Sequence, residues 1–301
     1  MTAKPTLVIL AAGMGSRYGG LKQLDEIGPN GEAIIDYSLY DAIRADFGKV
    51  VFIIRTDFAE AFKARFEPRL EGRIQTDYVY QSPDKIPAGF TLNPNRVKPW
   101  GTSHALMMAE QAVNEPMAVI NADDFYGRVA YETMSQFLQN SPDPNEYAMI
   151  GYRVASTLSE FGSVSRGVCN TDANGYLTSV VERTKILRES DGIQYYEQEN
   201  RYALSDETPV SMNFWGLKPS VFGKLHEGFN IFLETRGDDL TSEYYIPSLI
   251  NDNIQKNRIK TKVLTCNAPW FGVTYREDKP EAEKQIRALI GQGVYPENLW
   301  L

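Results

Sequence analysis

Short, wholly apolar runs separated by segments with helical spacing dominate the first half of the chain. Residues 7–12, 50–54 and 116–121 are apolar almost throughout, the pattern of strands buried on both faces. Between the first two, Ile34, Ile35, Leu39, Ala42 and Ile43 recur at helical spacing, which predicts a helix over residues 34–47. The result is a β-α-β unit with a right-handed crossover. A second helix is predicted over 57–68 and a further strand over 76–81. Residues 82–101 carry Pro83, Pro87, Gly89, Pro94, Pro99 and Gly101 and read as a long loop, a length that usually has a functional reason. Thr102 or Ser103 then caps a helix reaching about residue 113.

From about residue 148 the texture changes. Residues 152–154, 164–168 and 177–181 alternate in the manner of antiparallel strands, with a turn at Asn174-Gly175. Residues 185–207 are polar and charged and are expected to form an exposed excursion, an acceptor lid or a subunit contact. Strands are predicted at 210–217 and 261–266, and a closing helix over 280–290 with Ala282, Ile286 and Leu289 on one face. The expected fold is a three-layer α/β/α sandwich around a mostly parallel mixed sheet, with a smaller antiparallel portion near 150–215. It is read as a single domain, 1–301, with a nucleotide-binding half at 1–147 and an acceptor-binding half at 148–301.

Composition narrows the class. The 301 residues suffice for a sizeable core. A net charge of −8 argues against broad nucleic-acid binding, so an anionic substrate must be held by local cations. The two cysteines, Cys169 and Cys266, lack metal-ligand spacing and point to a reducing cytoplasm. No apolar run reaches the ~18 residues of a membrane span, and the short N-terminal run fails as a secretory signal.

The chemistry begins in residues 7–24, where the first strand runs into a turn with Gly13, Gly15, Gly19 and Gly20. Glycines let a backbone approach phosphate closely, and exposed N–H groups form an anion nest. Arg17 and Lys22 add a guanidinium fork and a point charge, completing a cradle for a polyphosphate. The dinucleotide fingerprint is excluded because Tyr18 stands where its third glycine belongs. The mononucleotide phosphate loop is excluded because Leu21 intervenes before Lys22 and Gln23 follows it.

Leu10-Ala11-Ala12-Gly13-Met14-Gly15-Ser16-Arg17 resembles the opening signature of the sugar-phosphate nucleotidyltransferases, L-A-A-G-x-G-[ST]-R, with Leu21-Lys22-Gln23 near the usual Pro-Lys. The resemblance implies that Ala11, Ala12, Gly13 and Gly15 hold the nucleotide while Arg17 and Lys22 carry the catalysis. Ile120-Asn121-Ala122-Asp123-Asp124 falls on the family's strand ending in Gly-Asp, which implies Asp123, with Asp124 beside it, as ligands of Mg²⁺ shared with the triphosphate. Two consecutive aspartates also suit a strand-end turn. Gly101 and Thr102 resemble the Gly-Thr-Ala segment beside the base and sugar. Gln81 matches a glutamine that reads a pyrimidine, donating and accepting at once. His104 reads alone as a packed or capping residue.

The acceptor side carries looser likenesses. Val181-Glu182-Arg183-Thr184 resembles Glu-Lys-Pro, so Glu182 would accept from sugar hydroxyls and Arg183 would hold the sugar phosphate. Gly162, in Phe161-Gly162-Ser163-Val164, and Asn213, in Met212-Asn213-Phe214-Trp215-Gly216, resemble further segments of that pocket. The largest departure is Gly272, where Trp-x-Asp-x-Gly would place a second metal-binding aspartate. Glu277, Asp278 and Asp124 are the candidates to replace it, unless fewer ligands suffice. The resemblance implies transfer from UTP or dTTP to a sugar 1-phosphate, with Mg²⁺ as cofactor and self-association left open. Two alternatives stand: a cytidylyltransferase for a phospho-alcohol such as phosphocholine, caged by tyrosines such as Tyr126, Tyr195, Tyr196, Tyr244 and Tyr245, and a non-catalytic nucleotide-binding regulator.

Overall fold

The computed structural model describes residues 3–13, 24–273 and 276–301. Its core is a parallel set, β1 (Thr6–Leu10), β2 (Lys49–Ile54), β3 (Gln75–Tyr80) and β4 (Met117–Asn121), ordered β3-β2-β1-β4. Alternate side chains leave opposite faces of a strand. Leu7, Ile9, Phe52, Ile54 and Ile120 therefore pack against α1 (Ile34–Arg44), α2 (Ala59–Leu70) and α4 (Arg128–Asn140). Val8, Val51, Ile53 and Val119 pack on the other face against α3 (Thr102–Met107), α5 (Val221–Arg236) and α6 (Ile246–Gln255). Both faces are covered, which is why these strands read as unbroken apolar runs, and each fully buried Val, Ile or Phe adds roughly 1.5–3 kcal/mol.

Beyond β4 the sheet forks at β11 (Pro209–Leu217). Trp215 and Gly216 lie between β4 and β6 (Glu146–Arg153), and β6 pairs in parallel with β12 (Lys260–Thr265). Earlier in the same strand, Val210 and Ser211 lie between β6 and β7 (Val164–Thr171). The change of partner takes place over an irregularity between Ser211 and Trp215, where Asn213 adopts φ 60°. From β7 an antiparallel arm continues through β8 (Leu177–Glu189), β9 (Gly192–Glu197) and β10 (Asn200–Leu204). Among the described residues the main sheet has eleven strands. A separate two-stranded ribbon joins β5 (Asp124–Phe125) to β13 (Phe271–Gly272), and α7 (Lys279–Gly291) closes the chain.

Residues 185–207, expected as an exposed excursion, are mostly exposed and form regular strands. They hold the end of β8 and the β9–β10 hairpin, anchored by Ile186 and Ile193, which are fully buried. The helix after residue 101 is shorter, ending at Met107 and followed by a tight turn over Glu110–Ala112 in which Ala109 and Ala112 N–H groups bond three residues back. Residues 218–260, unassigned by pattern, supply α5 and α6. Among the described residues no helix is long and apolar enough to cross a membrane.

Candidate active site

The parallel strands β1–β4 end together. Ala11 N–H donates to Ile53 O and Ala122 N–H to Leu10 O, so the segments leaving β1 and β4 depart from one edge of the sheet. Gln81 N–H donates to Ile54 O and brings the segment after β3 to that edge. In open α/β sheets, ligands bind outside the carboxyl ends of the strands. Ala11 and Ala12 are buried and Gly13 is exposed. Gly15, Arg17 and Lys22 lie outside the described residues. Three strand spacings separate β3 from β4, roughly 14 Å, a span suited to a base at one end and phosphates at the other.

The loop 82–101 is pinned at this edge by Arg96. Its buried guanidinium lies 3.3 Å from the centre of the Trp100 ring and donates to Asp239 O at 2.8 Å and Ser242 O at 2.6 Å. Trp100 Nε1 donates to Pro83 O across the loop. Gly101 follows at φ 95°, and a Cβ there would fall 2.7 Å from Tyr244 O, so only glycine fits. Gly101, not Thr102 or Ser103, is the N-cap of α3, and no side chain caps that helix. Thr102 Oγ1 instead accepts from Ile246 N–H, the first residue of α6. The expected cap therefore serves a different helix. Gln81 is 7% exposed; its Nε2 donates to Gly101 O and lies 3.1 Å from His104 Nδ1.

Asp123 and Asp124 follow β4. Asp124 Oδ2 accepts from Asn121 Nδ2 at 2.9 Å and from Tyr126 OH at 3.4 Å. Across the ribbon, Asp124 stands in register with Gly272. A Cβ on Gly272 would lie 2.5 Å from Asp124 Oδ1, so the Asp124 carboxylate fills the volume where a side chain at 272 would begin. No group of three or more His, Cys, Asp or Glu side chains clusters around a point among the described residues. Mg²⁺ needs fewer, because it takes one or two carboxylates and completes its shell with phosphate and water. An all-oxygen pair at a strand end fits that ion.

The remaining predicted residues are spread along the arm. Arg183 pairs with Glu197 at 2.5 Å, stacks on Tyr195 at 4.8 Å, and lines a second cavity together with Glu182 and Thr184. Glu182 is exposed and registers with Gly167 on β7. Asn213 Oδ1 accepts from Trp215 Nε1 at 3.1 Å, which holds the irregularity of β11. Gly162 lies between exposed Phe161 and Ser163. The tyrosines proposed as a cage sit apart: Tyr126 is fully buried against Phe214, Tyr244 packs on Phe229 and Phe232, and Tyr195 stacks on Tyr202.

Sequence reasoning missed Arg166. Phe161, Arg166, Trp270, Gly272 and Asp278 help line a cavity of about 840 Å³ beside the β5–β13 ribbon. Arg166 is 8% exposed, lies 4.9 Å from the centre of the Trp270 ring, and donates to Ser165 O at 2.8 Å and to Thr157 O. Burial pulls its pKa down to about 10, which still leaves it cationic at neutral pH. Arg166 Nε and Trp270 Nε1 are buried donors without a partner among the described residues. The alternation of β7, with Val164 and Arg166 buried and Ser165 exposed between them, is the signal that would have found it.

Comparison with known proteins adds to this geometry. A family model described as nucleotidyl transferase matches residues 6–202. No curated protein matches the sequence. A solved UDP-glucose pyrophosphorylase in complex with UDP-glucose is similar in fold, at 16% identity and TM-score 0.63, covering 96% of this chain and 99% of the other. A proposed glucose-1-phosphate thymidylyltransferase from Bacillus anthracis, in complex with a sucrose, reaches 15% identity and TM-score 0.63 over 94% and 95% of the two chains. An inositol-1-phosphate CTP transferase from T. maritima reaches 12% identity and TM-score 0.60 over 95% and 98%.

Proposed function

The chain belongs to the nucleotidyl transferase family, and from that premise we propose that it joins UTP or dTTP to a sugar 1-phosphate, releasing pyrophosphate. The observation that supports this reading is the shared edge of β1–β4, where residues 11–13, Gln81 and the Asp123-Asp124 pair leave neighbouring strands and Gly101 is bonded to Gln81. The acceptor phosphate attacks the α-phosphorus in line and needs no general base, because a phosphate monoester is already an anionic nucleophile near pH 7. The protein's task is positioning and neutralisation. Arg17 holds the β- and γ-phosphates, and Lys22 neutralises charge growing on the α-phosphate. The backbone of residues 11–13 and 15 accommodates the phosphates closely, and Gln81, Gly101 and Thr102 lie beside the base and ribose.

Asp123 and Asp124 would hold Mg²⁺, which supplies charge neutralisation at the triphosphate. The filling of the Gly272 site by Asp124 supports Asp124, over Glu277 or Asp278, as the second carboxylate. The acceptor occupies the cavity beside the ribbon, with Arg166 at its phosphate and Gly162 next to Phe161 in its lining, while Glu182 and Asn213 are not among the residues that line it. Arg183 contributes through its contact with Glu197 rather than as the main phosphate ligand.

The test is pyrophosphate release with Mg²⁺, crossing five NTPs with sugar 1-phosphates, inositol 1-phosphate and phosphocholine. Release with UTP or dTTP and a sugar 1-phosphate is expected, and Lys22→Ala should lower turnover by ~10²–10³-fold with the fold intact. Release with CTP and a phospho-alcohol alone would replace this reading.

A further inference from the structure

Gln81, His104 and the carbonyl of Lys85 form a chain in which every hydrogen can be assigned. Lys85 O can only accept, so His104 Nε2, 2.7 Å away, carries a hydrogen and donates it. His104 is fully buried, and burial holds its imidazole near a pKa of about 4, so the ring is neutral at pH 7. A neutral ring protonated at Nε2 has a lone pair at Nδ1. Gln81 must therefore turn its NH₂ group, not its oxygen, to Nδ1 at 3.1 Å. The same nitrogen donates to Gly101 O, also at 3.1 Å and also an obligate acceptor. Both amide hydrogens are engaged. No described residue donates to Gln81 Oε1, and that oxygen is not among the buried atoms lacking a partner. The small part of Gln81 that reaches solvent thus includes its acceptor.

We infer that His104 is a positioning residue that fixes Gln81 as a pure hydrogen-bond acceptor, so that the nucleotide site selects bases whose Watson–Crick ring nitrogen carries a hydrogen. The inference rests on Gln81 facing the base, as proposed above, and changes what it can do there: it does not donate and accept at once. Uracil and thymine N3–H and guanine N1–H donate to Oε1. Cytosine N3 and adenine N1 meet it with a lone pair, so that contact is left unmade and affinity falls.

The experiment is calorimetric titration of the full chain with each of the five NTPs and Mg²⁺, without acceptor. The tightest of UTP, dTTP and GTP is expected to bind at least ~10-fold better than CTP or ATP. His104→Leu should shrink that ratio to ~3-fold or less, whereas a merely structural role would weaken all nucleotides alike. His104→Asn offers Oδ1 to the same amide hydrogen and should restore most of the ratio. An unchanged ratio in His104→Leu, or CTP or ATP binding as tightly as the others, overturns the inference. Failure of the underlying reading shows differently: Gln81→Ala would keep the wild-type ratio while still binding nucleotide. A readout needing no variant is nitrogen-15 NMR of the two histidines. The Nε2–H tautomer is expected for His104, and the Nδ1–H tautomer would overturn the assignment.

Discussion

At the edge of β1–β4, Gln81, His104 and Thr102 each have a main-chain partner; in the β7–β10 arm, Arg183 is fixed by other side chains alone and Arg166 by both kinds. Gln81 answers to Gly101 O, His104 to Lys85 O, and Thr102 to Ile246 N–H. Arg183 answers to Glu197 and Tyr195, and Arg166 lies against Trp270. Groups held by the backbone are fixed as long as the fold is. Groups held by side chains can be exchanged one residue at a time, and the departures from the family pattern include Arg183 and Thr184 in the arm, Gly272 in the ribbon and Ala122 at the edge itself.

The contrast breaks first if the backbone at the edge proves tolerant. Gly101→Ala forces a Cβ to 2.7 Å from Tyr244 O at φ 95° and should destabilise the protein by roughly 2–4 kcal/mol in urea unfolding. A loss below about 0.5 kcal/mol would mean that the turn is not constrained as described. Next in size is a pH effect at His104. Its folded pKa, about 4, lies below its unfolded value, so the stability it confers is present above about pH 6.5 and is lost as pH falls through 4. The loss should be on the order of 3 kcal/mol, and His104→Asn should flatten that limb of the pH–stability curve.

Part of this was legible in the sequence, and the reason is physical. Doubly covered parallel strands announce themselves as apolar runs, so β1, β2 and β4 could be placed from Leu7, Val51 and Ile120 outward. The glycine motif and the aspartates after β4 could be read because close phosphate approach restricts residue types. The arm could not be read, since Ile186 and Ile193 are isolated apolar positions in a charged stretch. Nor could those partners of Gln81, His104 and Arg166 that come from 19 to 104 positions away in sequence, such as Lys85 O for His104 and Trp270 for Arg166. Thr102 has the residue type of a cap, but nothing local says which helix it serves.

The arm offers smaller effects. Arg166→Met should raise the acceptor KM by ~10–100-fold while leaving nucleotide KM unchanged, because a charge-assisted contact to phosphate is lost. Equal losses for both substrates would move Arg166 out of the acceptor site. Arg183→Ala removes a half-exposed ion pair and should change stability by less than about 1 kcal/mol. A larger loss would show that the arm depends on that pair as strongly as the edge depends on Gly101.

The most direct test of the account follows the α-phosphorus itself. UTP or dTTP labelled with phosphorus-32 at the α-position, incubated with Mg²⁺ and the sugar 1-phosphate selected by pyrophosphate release, should yield all transferred label in the nucleotide-sugar and none in pyrophosphate. Label that stays in the triphosphate, or leaves as free nucleoside monophosphate, would contradict attack by an acceptor phosphate at that atom.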